Sequence, residues 1–129
     1  MPLLSLDHVN IRTSNLPAMV SWYTDVLEMT SGKRPSFSFG GAWMYVGDKP
    51  IVHLVEVPRE PGNTEPKLEH FAIGATGLGD FVGRLEANGV AYTVDRVPDF
   101  PLVQVNFRDC DGNHIHVDFS SEELSQIGQ

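Results

Sequence analysis

From Leu4 to Arg12 apolar and polar residues alternate, with Val9 and Ile11 on one side of an extended chain and His8, Asn10 and Arg12 on the other. That is the pattern of a half-buried strand. The period then changes. Leu16, Met19, Val20, Tyr23, Val26 and Leu27 recur at helical spacing, Ser14 or Asn15 stands where a helix cap belongs, and Pro17 falls in the first turn. Strands are predicted over Phe37 to Val46 and Ile51 to Val57, joined by the turn Gly47-Asp48-Lys49-Pro50.

The order then repeats. Residues 68 to 74 read as a strand, and Leu78, Phe81, Val82 and Leu85 mark a helix from Leu78 to Ala87 that stops at Asn88-Gly89. Strands follow at about 91 to 96, 102 to 108 and 114 to 119. The repeat is visible in the residues themselves: Leu6-Asp7-His8-Val9-Asn10-Ile11 aligns with Leu68-Glu69-His70-Phe71-Ala72-Ile73, and the stretch from Asp48 to Leu54 aligns with Asp111 to Val117. The fold class expected is α+β, two tandem βαβββ modules. Module one is 1–57, a proline-rich linker spans 58–67, module two is 68–121, and 122–129 is a C-terminal tail.

Period two also fixes which way each histidine points. His8, His53, His70 and His116 all fall opposite the apolar residues that face the helices, and if the two modules pair their sheets they converge on one concave side. His70 follows His8 by 62 positions and His116 follows His53 by 63, so each module offers one imidazole at its start and one at its end. Neutral imidazole suits zinc, nickel, cobalt, copper or ferrous iron better than magnesium or calcium. His114 shares the face of His116 but aligns with Ile51, so it is expected at the rim of the site. Glu56 and Glu69 are placed on the face away from the neighbouring histidine and are not expected to act as bases.

Composition narrows the function classes. With 129 residues, 41% hydrophobic, the chain is long enough for one core, and no apolar run reaches the roughly 18 residues needed to span a bilayer. The start MPLLSLDHV lacks a secretory pattern, which predicts a cytoplasmic protein. A net charge of -8 with scattered Lys and Arg argues against nucleic acid. The single cysteine, Cys110, excludes a disulfide framework.

The opening LDHVNIRTSNLPAMVSWYTDVLEM, the Arg34-Pro35, Gly41-Ala42-Trp43 and His53-Leu54 signatures, and the closing RDCDGNHIHVDF resemble the vicinal oxygen chelate superfamily of glyoxalases, bleomycin-resistance proteins and extradiol dioxygenases. The resemblance covers nearly the whole chain and is nearest to a glyoxalase-I-like subgroup. It implies a cup-shaped mixed sheet with helices outside, and a divalent transition metal (zinc, nickel, cobalt, manganese or ferrous iron) on His8, His53, His70 and His116. It also implies a small-molecule substrate held through vicinal oxygens, and pairing of chains into a homodimer. The chain departs from the family in carrying His116 where glutamate is usual and Cys110 where proline is usual.

The function expected is therefore a metal-dependent enzyme of lyase or isomerase type. Its alternatives are an extradiol-type dioxygenase and a non-catalytic protein that sequesters a drug or a metal. Without the usual glutamate, proton transfer is expected to fall to His116, to Asp118 two residues on, or to metal-bound hydroxide. Asp118 also has a reading as a capping or surface residue. Asn10, Arg12, Trp43, Gln104 and Asn106 are the expected substrate contacts. Solvation at a strand end explains Arg12 equally well, and edge exposure nearly accounts for Gln104 and Asn106. Phe37, Phe39 and Tyr45 could line an apolar wall, although aromatics in strands are mostly core.

Overall fold

The structure is a computed structural model that describes residues 2–62 and 65–129. The chain divides into two compact units, Met1–Thr64 and Glu65–Gln129, and each has the element order strand, helix and three strands.

In the first unit, β1 (Val9–Thr13) is followed by α1 (Leu16–Asp25), β2 (Thr30–Gly32), β3 (Gly41–Val46) and β4 (Lys49–Glu56). The sheet order is β1-β4-β3-β2, with β1 parallel to β4 and the other pairs antiparallel. Of the helical stripe read from the sequence, Met19 and Tyr23 are fully enclosed and Val26 is buried, while Leu16, Val20 and Leu27 are half-buried; Met29, Ala42, Met44, Val52 and Leu54 complete the core. Pro17 lies in the first turn of α1, where its missing N–H costs nothing. Asn15 occupies the cap position without making a side-chain cap bond.

Two expectations are corrected here. The strand predicted over Phe37 to Val46 begins only at Gly41, and the preceding residues form a loop; the strand next to β3 is Thr30–Gly32, whose three exposed residues carry no apolar alternation to betray it. The turn is shorter than expected, with Gly47 at φ 60 beside Asp48 and β4 already running from Lys49. Pro50 is tolerated in a central strand because the β3–β4 register shifts between Met44 and Tyr45, where a ladder donor is not required.

In the second unit, β5 (Phe71–Gly74), α2 (Leu78–Ala87), β6 (Tyr92–Arg96), β7 (Leu102–Arg108) and β8 (His114–Ser120) form a sheet of order β5-β8-β7-β6. Val103, Val105 and Phe107 on β7 and Ile115, Val117 and Phe119 on β8 are all buried, as are Leu78, Val82 and Leu85 of α2. The Phe81 ring lies 5.7 Å from Phe107 and 5.6 Å from Phe119.

Residues read as a tail form a 3-10 helix, Ser121–Ile127, that packs on α2. It supplies what the start of α2 lacks. Gly77 has no side chain to cap with, so the Glu123 carboxylate accepts from the N–H groups of Gly77 (2.7 Å) and Leu78 (3.1 Å), while Gln126 Oε1 accepts from Gly79 (2.9 Å). The bonds from Gly77 and Leu78 hold the Glu123 carboxyl below its ordinary range.

Candidate metal and substrate site

Strand register brings the histidines into equivalent places. In the first unit Asn10 pairs with His53 across β1 and β4, and Trp43 pairs with His53 across β3 and β4. In the second unit Ala72 pairs with His116, and Asn106 pairs with His116 on its other side. His8 lies two residues before Asn10 and His70 two before Ala72, each just ahead of its strand. The internal repeat thus appears as one geometric plan used twice.

Within the first unit the His53 ring is sandwiched. His8 stacks on it at 3.8 Å with planes 7° apart, and Trp43 covers it at 4.0 Å and 14°. The His53 ring folds back along its strand so that Nε2 donates to the Pro50 carbonyl at 3.0 Å. Burial is the main cause that pushes its pKa down, assisted by the adjacent His8, which favours the neutral ring. His8 Nδ1 donates to the Asp7 carboxylate at 2.7 Å, a bond that lowers the pKa of Asp7. Among the described residues nothing engages Nε2 of His8.

The second unit is more polar. His70 Nδ1 donates to Glu69 Oε1 at 2.7 Å, and His114 Nδ1 donates to the other oxygen of the same carboxylate at 2.8 Å. These two bonds, that of His70 first, lower the pKa of Glu69. On its far side His114 Nε2 faces Asn106 Oδ1 at 2.8 Å, and Asn106 in turn donates to Asp95 at 3.0 Å, which fixes the orientation of the amide. Both nitrogens of His114 therefore face acceptors. His116 is buried, and its Nδ1 donates to Asp118 at 2.5 Å. The His70 and His116 rings lie 4.6 Å apart at a 46° tilt.

Glu69, His70 and His114 form a group able to hold a metal ion, with ligand atoms all within 4.8 Å of one another. Glu69 is the residue that the sequence reading missed, and it corrects that reading. Strict alternation was carried back to position 69, but β5 begins only at Phe71, so the segment ahead of it is free to turn the carboxylate towards His70. The cue was present in the repeat itself, because an acid precedes the first histidine of each unit, Asp7 before His8 and Glu69 before His70.

The other expected residues divide. Trp43 is against His53, and Asn106 is against His114. Gln104 pairs in register with Asp118. Asn10 and Arg12 are exposed on β1, with Asn10 directly beside His53 and Arg12 paired with Val55. Phe37 and Phe39 lie in the loop ahead of β3, stacked on each other at 4.9 Å.

Three of the histidines therefore share one arrangement: Nδ1 is tied to a carboxylate, of Asp7, Glu69 or Asp118, and among the described residues no hydrogen bond takes up Nε2. A carboxylate in that position fixes the tautomer and ring orientation and makes Nε2 a better ligand.

Comparison with known proteins bears on the fold and the family. No curated protein matches the sequence. A glyoxylase/bleomycin resistance protein/dioxygenase domain from Frankia sp. EAN1pec is 22% identical with a TM-score of 0.74, over 92% of this chain and 99% of that one. A lactoylglutathione lyase from Agrobacterium tumefaciens is 20% identical with a TM-score of 0.70, over 92% of this chain and 96% of that one. An integron cassette protein from the mobile metagenome of V. cholerae is 22% identical with a TM-score of 0.71, covering 92% and 97%. At such identities the likeness is one of fold. The family model of the Glyoxalase/Bleomycin resistance protein/Dioxygenase superfamily matches residues 5–117, and to that superfamily the chain belongs.

Proposed function

We propose that the protein is a divalent-transition-metal enzyme of lyase or isomerase type, acting on a small substrate with vicinal oxygens, and that His8, His53, His70 and His116 are its metal ligands. The observation that carries this reading is the threefold pairing of a histidine Nδ1 with a carboxylate, which leaves Nε2 of His8, His70 and His116 in the state a metal requires.

The fit differs between the two pairs. The 46° tilt of His70 against His116 lets two in-plane lone pairs meet at one point. The parallel stack of His8 on His53 does not, since lone pairs in planes 7° apart run alongside each other. His53 also spends Nε2 on Pro50. It would bind through Nδ1 or after turning, and is the weakest of the four. His114, with both nitrogens facing acceptors, serves instead to hold Glu69 and through it His70.

When bound, the metal supplies Lewis acidity towards a substrate oxygen. The chain's own residues do the rest. Asp118 is the group placed to take a proton: it holds His116 by its Nδ1 and retains a second carboxylate oxygen, whereas a ligated His116 has no lone pair left for that work. Trp43 and Asn106, equivalent in the two units, offer an apolar face and an amide to the substrate.

The test is elemental analysis of protein purified without added metal. One transition-metal ion per complete set of four ligands is expected. Replacing His70 or His116 by alanine should cut metal affinity by at least the roughly 10-fold typical of a disturbed site, with a smaller effect at His53. Undiminished metal in a double His70→Ala, His116→Ala variant refutes the ligand assignment.

A further inference from the structure

The loop ahead of β3 carries a cation that the metal chemistry does not use. The Arg34 guanidinium lies 4.9 Å from the Phe37 ring centroid and 5.3 Å from that of Phe39, while the two rings are 4.9 Å apart and within 9° of parallel. The three groups make a nearly equilateral triangle. Arg34 Nη2 donates to the Phe39 carbonyl at 2.9 Å. Gly41 admits the guanidinium at all, because a Cβ there would stand 2.9 Å from Nη2 and 3.2 Å from Nε.

Arg34 is half-buried, and no carboxylate among the described residues pairs with it. Taking a cation partly out of water without a counter-charge is costly, and its planar fork still has N–H donors to place. Phe37 and Phe39 are 44% and 46% exposed, an unusual amount of stacked aromatic surface to leave in water. Phe37 is 6.5 Å from Trp43, which stacks on His53. Gly41 and Trp43 are two apart on β3 and share a face, so the cation and the indole are spaced by about 7 Å along the strand.

We propose that Arg34, Phe37, Phe39 and Trp43 form the binding surface for an aromatic carboxylate. The guanidinium takes the carboxylate through its unused donors, and the ring packs on the exposed aromatic surface between Phe37 and Trp43. Calling that ligand the substrate rests on the metal-enzyme reading, whereas the binding surface itself does not.

The experiment titrates metal-stripped protein carrying Trp22→Phe, so that Trp43 is the only tryptophan, with benzoate, benzamide and cyclohexanecarboxylate. Saturable quenching by benzoate is expected, with at least about 10-fold weaker binding of benzamide, which lacks the charge, and measurably weaker binding of cyclohexanecarboxylate, which lacks the flat ring. Arg34→Gln should weaken benzoate by about 10-fold or more and leave benzamide unchanged, and Arg34→Lys should fall between. If Arg34→Gln fails to fold, the comparison of benzoate with benzamide on the parent decides. Absence of saturation by benzoate, equal binding of benzamide, or equal binding of cyclohexanecarboxylate overturns the proposal. The titration needs no metal, so its failure and the failure of the ligand assignment are separate results.

Discussion

The loop between β7 and β8 delivers His114 and His116, and one buried carboxylate organises it. Asp109 is 5% exposed, and its Oδ1 accepts from the backbone N–H groups of Asp111 (3.0 Å) and Asn113 (2.9 Å), while the Asn113 amide reaches Oδ2 at 2.9 Å. Replacing Asp109 by alanine orphans two part-buried backbone donors. At the lower half of the roughly 1–3 kcal/mol that such a group costs, the loss is about 3 kcal/mol. An unfolding entropy of about 2.1 cal/mol/K per residue over a chain of this length makes that a fall of about 10 °C in Tm.

Asp109→Asn keeps one oxygen for the two backbone donors but turns an NH2 towards the Asn113 amide, so about half the loss is expected. Thermal and urea denaturation followed by circular dichroism measure both variants, and hydrogen exchange of the β8 amides locates the change. The reasoning fails if Asp109→Ala stays within about 1 kcal/mol of the parent, below the low end for one orphaned donor. It fails equally if Asp109→Asn is as damaging as the alanine, since that would put the energy in the charge and not in the two N–H groups.

Three further outcomes are expected. The lowered Glu123 carboxyl contributes stability that is fully present above its ordinary value of 4.5 and is lost as pH falls through the depressed folded value, so the urea midpoints of parent and Glu123→Gln should converge on acidification; a gap that persists unchanged at the lowest pH would reject the charge-based cap. Gly41→Ala drives a Cβ into the Leu54 carbonyl oxygen and the Arg34 guanidinium, and should cost about 1–3 kcal/mol in denaturant unfolding, whereas a neutral result would mean the loop ahead of β3 relaxes freely. The native protein should show little hemithioacetal isomerase activity, with His116→Glu raising it at equal metal occupancy, because a ligated imidazole has no lone pair left to take a proton; high native activity that the substitution leaves unchanged would move the base to another residue, Asp118 first.

Both βαβββ units were legible because their cores obey simple periods. Met19 and Tyr23 on α1, and Leu78, Val82 and Leu85 on α2, recur at helical spacing, and β7 alternates strictly from Leu102 to Arg108. The misreadings fall where no apolar period operates. β2 has only Thr30, Ser31 and Gly32, all exposed and paired with β3, so nothing in its residues announces a strand. Phe37 and Phe39 looked like strand positions because they are aromatic, but their partner is the Arg34 guanidinium and not a core.

The chemistry was legible only as far as the repeat carried it. Equivalent spacing singled out four histidines as candidates, yet spacing cannot say which ring nitrogen is free; that depends on Asp7, Glu69, Asp118 and the Pro50 carbonyl, each within three residues of its histidine but set by local backbone turns. The repeat also hides a difference that register exposes. The position beside His53 on β3 is Trp43, while the position beside His116 on β7 is Asn106. One imidazole is thus closed in by an indole and the stacked His8, and its ring is driven towards neutrality by burial. The other is tied to Asp118 and lies beside a chain of hydrogen-bonding groups that runs from Asp95 through Asn106 and His114 to Glu69 and His70. Two copies of one plan have been filled differently, the first unit with aromatic surface and a guanidinium set against it, the second with oriented polar groups.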